Sequence, residues 1–148
     1  MRMEARSMRR GRRRALLAPL CALLLLSGCR DLATEEEAGY EPATVEPIEG
    51  TELARVILTE DGARRIGLDT TSVTKRGELT VVPESAVWVD VNGDEWVYTN
   101  PEPLVFVRAL VVVDRYEGGS AFLRDGPAAG TKVASIGVPE LIGSEFGI

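Results

Sequence analysis

Asn92-Gly93 stands between two apolar runs, residues 86–91 and 96–99. An Asn-Gly pair in that setting is the strongest short-range signal for a β-hairpin, and it commits the middle of the chain to antiparallel β-structure. A two-residue loop sets Val89 opposite Trp96 and Val87 opposite Tyr98, which gives one apolar face. The same register sets Asp90 opposite Glu95, a like-charge pair that disfavours it, so a longer loop over residues 92–95 stays open.

The chain beyond Thr51 carries the same signature. Residues 54–58 and 68–73 read as strands, Lys75-Arg76-Gly77 as a turn, and 79–82 as a strand that stops at Pro83, because proline cannot donate to a central ladder. Pro101 and Pro103 mark a loop. Residues 104–113 form a long strand whose hairpin partner is 120–123 across a turn at 116–119, and 132–136 form a last strand after the turn 126–130. Two short helical pieces interrupt the pattern. Thr59 caps residues 60–66, with Glu60 and Asp61 in the first turn and Gly67 at the exit; residues 138–145 make a helical turn around Pro139. The prediction is a mainly β domain over residues 51–148, a small barrel or sandwich with one or two short helical turns. About 98 residues can bury one small core, built here from Val, Leu and Ile with a few aromatics.

Upstream the composition changes twice. Residues 1–28 carry an Arg-rich start, then an apolar run from Ala15 to Leu26, then small residues, the layout of a secretory signal peptide. The run is shorter than the roughly 20 apolar residues that span a bilayer. It closes on Leu26-Ser27-Gly28-Cys29, which resembles the bacterial lipobox, in which the cysteine thiol takes a lipid and becomes the first residue of the mature chain. Cys29 is therefore the expected lipidation site, and the expected location is the extracytoplasmic face of a cell membrane, held by the lipid anchor. Residues 29–50 hold seven carboxylates, Pro42 and Pro47, and no basic residue after Arg30, which predicts a disordered acidic tether.

Charge narrows the partners. The leader holds seven Arg and one Glu of the chain's 17 basic and 23 acidic residues, which leaves 10 basic and 22 acidic residues, a formal charge of −12. Such a domain is a poor match for nucleic acid, whose phosphates require Lys/Arg patches. There is no His, all three Met lie in the leader, and Cys29 is committed to lipid. No metal site of His, Cys or Met is expected, nor Ser-His-Asp or Cys-His catalysis, and no cofactor beyond the covalent lipid on Cys29. Asp90-Val91-Asn92-Gly93-Asp94 opens like a calcium loop, but Glu95 replaces the required Gly and Pro101 the final Glu, so it reads as a polar hairpin turn. Gly118-Gly119-Ser120 and Gly143-Ser144 complete neither a nucleophile elbow nor a phosphate cradle.

The segments "ELARVILTEDGARRIGLDTTSV" (52–73), "VPESAVWVDVNGDEWVYT" (82–99) and "DGPAAGTKV" (125–133), taken in that order with the strand from Phe106 to Val113 and the tail "GVPELIGSEFGI", resemble the bacterial efflux periplasmic adaptors, the membrane-fusion protein family. Eight residues separate Val73 from Val82, which leaves no room for that family's lipoyl-like domain or coiled-coil hairpin. What the resemblance implies is the membrane-proximal module alone, the part that touches the transporter in full adaptors. The expected function is a non-enzymatic, lipid-anchored accessory or adaptor-like subunit of an extracytoplasmic efflux or export system; the alternative is a free-standing solute-binding or cell-envelope lipoprotein. Expected partners are the membrane, an inner-membrane transporter or a second copy, with Trp88, Trp96 and Tyr98 as the contact residues.

Overall fold

β-Branched residues at alternating positions, cut by turn residues every few steps, leave strands as the dominant element. The structure, a computed structural model, describes residues 41–148. The expected leader, the lipidation site Cys29 and residues 29–40 of the expected tether lie outside the described residues.

Ten strands join in one sheet. They are β1 (Ala43–Pro47), β2 (Ala54–Leu58), β3 (Asp69–Ser72), β4 (Thr74–Arg76), β5 (Leu79–Pro83), β6 (Trp88–Val89), β7 (Glu95–Glu102), β8 (Val105–Glu117), β9 (Ser120–Asp125) and β10 (Lys132–Ile136). Helix α1 (Glu60–Arg65) follows β2 and helix α2 (Val138–Phe146) follows β10. The hydrogen-bonded order is β3-β10-β7-β8-β9-β5-β4. Val73 alone separates β3 from β4; its N–H donates to Thr131 O at 2.8 Å, and its carbonyl accepts from Gly130 N at 2.8 Å. The two ends of the order thus meet, and the sheet is a nearly closed barrel. Of the two architectures open to the sequence, the barrel is the one adopted.

The thirteen-residue β8 organises the sheet. Its first half pairs β2 (Val56↔Phe106) and its second half pairs β9 (Tyr116↔Ala121), while β7 runs along the opposite edge (Val97↔Ala109). Side chains alternate between two apolar clusters. Val97, Val111, Leu123 and Val133 belong to the one inside the barrel; Tyr98, Phe106, Ala134 and Val56 belong to the one beneath α2, with Val138 and Leu141. Strands β7 and β10 are therefore packed on both faces.

Several boundaries differ from the sequence reading. Residues 43–47 are not tether: they form β1, paired in register with β2 from Ala43↔Leu58 to Pro47↔Ala54. Acidic density argues against burial, but an edge strand with exposed side chains asks for little burial, and the folded domain starts about eight residues before Thr51. Lys75 and Arg76 belong to β4, and the turn is Gly77-Glu78. The expected strand over 86–91 shrinks to Trp88–Val89 because Glu84–Ala86 coil into a 3-10 turn. Helix α1 follows expectation: Thr59 Oγ1 accepts from Gly62 N at 2.9 Å, acidic residues sit in its first turn, and Arg64 and Arg65 sit in its last.

Candidate functional site

The hairpin between β6 and β7 is governed by one carboxylate. Asp90 Oδ1 accepts from Asn92 N at 2.8 Å and from Asp94 N at 3.0 Å, while Oδ2 accepts from Trp96 Nε1 at 3.1 Å. The Asp90 backbone N–H donates to Asp94 O at 2.9 Å. Aspartate captures its own loop in this way because its short side chain reaches backbone donors two to four residues on. The loop is thus Val91-Asn92-Gly93, and the register is Trp88↔Trp96 and Val89↔Glu95. The two-residue-loop register is off by one residue, since Asp90 faces Asp94 rather than Glu95 and Trp96 faces Trp88 rather than Val89. The longer loop over residues 92–95, which would set Val91 opposite Trp96, is off by three. Partial desolvation pushes the Asp90 carboxyl upward, but its hydrogen bonds from Asp94, Asn92, Trp96 and Gly93 outweigh that and hold it below its ordinary value of 3.8. The calcium-like motif is a loop that spends its first carboxylate on itself.

That register lines up an aromatic wall on the α2 side of the sheet. Trp88 stacks on Trp96 with ring centroids 6.4 Å apart and on Tyr98 at 6.1 Å, and the Phe146 ring meets it edge-on at 6.2 Å. The Arg108 guanidinium lies 4.5 Å from the centroid of Trp96 and 5.4 Å from that of Phe146, cation–π contacts of about 0.5–2 kcal/mol each. Arg108 Nε is 2.9 Å from Glu145 Oε1, an ion pair whose N–H is not aimed at the oxygen, and its Nη2 donates to Glu52 O at 2.6 Å. Tyr98 OH donates to Glu145 Oε2 at 2.6 Å. The Glu145 side chain is only 4% exposed, so these two partners keep its charge in the interior. Burial, reinforced by the hydrogen bond and negative charge of Glu145, pushes the Tyr98 phenol well above its ordinary range.

Over this wall opens a cleft of about 540 Å³ between the hairpin and the end of α2. Trp88 and Arg108 line its floor; Asp90, Val91, Phe146 and Ile148 are among its other lining residues, and Glu52 stands at its edge. Val91 is fully solvent-exposed and Ile148 nearly so. The indole N–H of Trp88 is buried without a hydrogen-bond partner among the described residues.

The three aromatic residues singled out from sequence are brought together, but with unequal roles. Trp88 and Trp96 are half-buried. Tyr98 is fully buried, so it is not a contact residue: it shares the face of Trp96 two positions along β7, but lies beneath α2, in the cluster with Leu141. Sequence reasoning missed Arg108, Glu145 and Phe146. Arg108 had one available signal, a charged residue sharing the Phe106 face of a long apolar strand, which calls for a partner.

Among the described residues no group of three or more His, Cys, Asp or Glu is placed to hold a metal, and no helix is long and apolar enough to cross a membrane. Neither a protein family's sequence profile nor a curated protein matches this chain.

Proposed function

We propose that this chain is a non-enzymatic, lipid-anchored accessory or adaptor-like subunit that meets an export transporter at the extracytoplasmic face of a membrane. The observation that carries the reading is the position of the uncovered apolar side chains. Val91 and Ile148, the two most exposed apolar side chains among the described residues, stand on the lips of the cleft with Val89 and Phe146 beside them. The other exposed ones, among them Leu110, Val112, Tyr116 and Ile136, are spread along β8 and β10. Uncovered apolar groups gathered around one opening mark an interaction site. The lipobox-like Leu26-Ser27-Gly28-Cys29 and the resemblance to the membrane-proximal module of efflux adaptors support the same assignment. Of the two carboxylates that line the cleft, Asp90 is committed to its loop and Glu52 is exposed at the edge with no acid–base partner among the described residues, which fits binding better than acid–base chemistry.

A photoreactive amino acid at position 91, irradiated in living cells, tests this. The expected product is a covalent adduct with an integral membrane transport protein or with a second copy. Adducts confined to soluble proteins or lipid would overturn the reading.

A second reading, solute binding by a free-standing lipoprotein, has the Trp88-lined cleft in its favour, since its volume is within the usual range for small ligands. Against it, the Trp88 ring is already engaged by Trp96, Tyr98 and Phe146. A solute that saturably raises the melting temperature of the purified protein would favour it.

A further inference from the structure

The lining of the cleft also constrains what kind of surface covers it. Its ionisable side chains are Glu52, Asp90 and Arg108. The one cation, Arg108, is paired with Glu145 and is 12% exposed. What the cleft presents to solvent is therefore negative: Asp90, held ionised by its loop, and the exposed Glu52, with Asp94 exposed beside them on the same hairpin. The Glu52 and Asp94 carboxylates make no ion pair with any of the described residues. The apolar contribution comes from the lips, Val91 on the hairpin and Ile148 beyond α2, and from the half-exposed Phe146. A small molecule sunk into the cleft would touch chiefly its floor and leave the lips wet. A longer partner laid across the opening would cover both.

We infer that the cleft binds a peptide segment of a protein partner in which a Lys or Arg is flanked by bulky apolar side chains. The cation lies between Glu52 and Asp90, and the apolar side chains cover Val91, Phe146 and Ile148. Charge complementarity of this kind sets partner choice and approach rate, while the apolar lips supply the buried area. This occupant rests on the docking reading above and names the chemistry of what docks. A negatively charged partner face is excluded, because it would meet uncompensated carboxylates.

The chain's only two tryptophans, Trp88 and Trp96, are at the site and report binding by their fluorescence. The processed chain is placed in phosphatidylcholine nanodiscs, with empty nanodiscs as the blank. It is titrated with a twelve-residue Lys/Leu amphipathic peptide, its Glu/Leu counterpart and a Lys/Ser peptide of equal charge. The expected result is a saturable change in emission with Lys/Leu only, weakened at least fivefold on raising NaCl from 0.05 to 0.3 M. Glu52→Gln and Val91→Ser should each weaken binding at least threefold with unchanged circular dichroism. Neither side chain takes part in the Arg108–Glu145–Tyr98 network, so neither variant threatens the fold. Equal binding of the Glu/Leu peptide, no saturable binding of Lys/Leu, or indifference to both substitutions would overturn the inference. The cross-linking from position 91 separates the two proposals. A captured membrane partner with no cationic preference leaves docking standing and removes this occupant; cationic preference with no membrane partner does the reverse.

Discussion

Glu145 shows how much one side chain far from any surface role can hold. Its two oxygens serve Arg108 and Tyr98, on neighbouring strands, and α2 is tied down through them. Removing one partner of a buried pair strands the other, at about 3–5 kcal/mol. Glu145→Ala is therefore expected to lower the urea midpoint by a large part of the domain's stability, and a midpoint near wild type would mean the pair is open to water. Tyr98 gives the pH signature. Its phenol is protonated in the fold well beyond the point where an unfolded tyrosine ionises, near pH 10. A raised folded value means its contribution is complete below pH 10 and declines above it, by up to about 1.4 kcal/mol per pH unit. Tyr98→Phe should flatten that part of the alkaline loss, measured by urea unfolding between pH 9 and 11. Neither link was legible beforehand, because residues 98, 108 and 145 are joined only by the fold, whereas the Thr59 cap was legible because its partner is three residues away.

At the scale of elements, local signals read well and captured ones did not. Strands β2 and β10 and the start of α2 run where apolar periodicity and turn residues place them. The Gly118-Gly119 turn is tighter than expected, since β8 continues to Glu117. The β6–β7 register escaped because Asp90 answers to its own loop rather than to a cross-strand neighbour, and β1 escaped because acidic residues and prolines imitate a linker. Helix α1 offers a test in which propensity and packing oppose each other. Alanine normally improves a helix interior by about 1 kcal/mol over glycine, but a Cβ at Gly62 would lie 2.5 Å from the Pro42 carbonyl oxygen. That oxygen accepts from Thr59 N at 3.0 Å and joins the entry of β1 to the helix. Gly62→Ala is expected to destabilise by about 1–3 kcal/mol, read from thermal unfolding; a rise in melting temperature would show that this approach is looser than the contact implies.

For the whole molecule, the anchor is the first claim to test. Cys29→Ser should move the protein from the membrane to the soluble fraction or leave the leader uncut, and the wild-type mature mass should exceed that of the peptide by its acyl groups; an unmodified Cys29 at the mature N-terminus would sink the lipoprotein reading. The seam of the barrel concerns time rather than space. Strand β10 seals the ring against β3, as in Thr70↔Ala134, and against β7 at Thr99↔Val133, yet it follows every other strand of the described residues. Chains emerge from the ribosome amino end first, so the early strands must wait with two open edges until their last neighbour arrives. Closure between such distant partners places refolding in the millisecond-to-second range, which stopped-flow fluorescence of the two tryptophans can time. A chain cut after Gly130 never receives its seal. It should persist as an open, sticky sheet that aggregates or is held by chaperones, so for this protein the interval before β10 appears is the period of greatest exposure to misassembly.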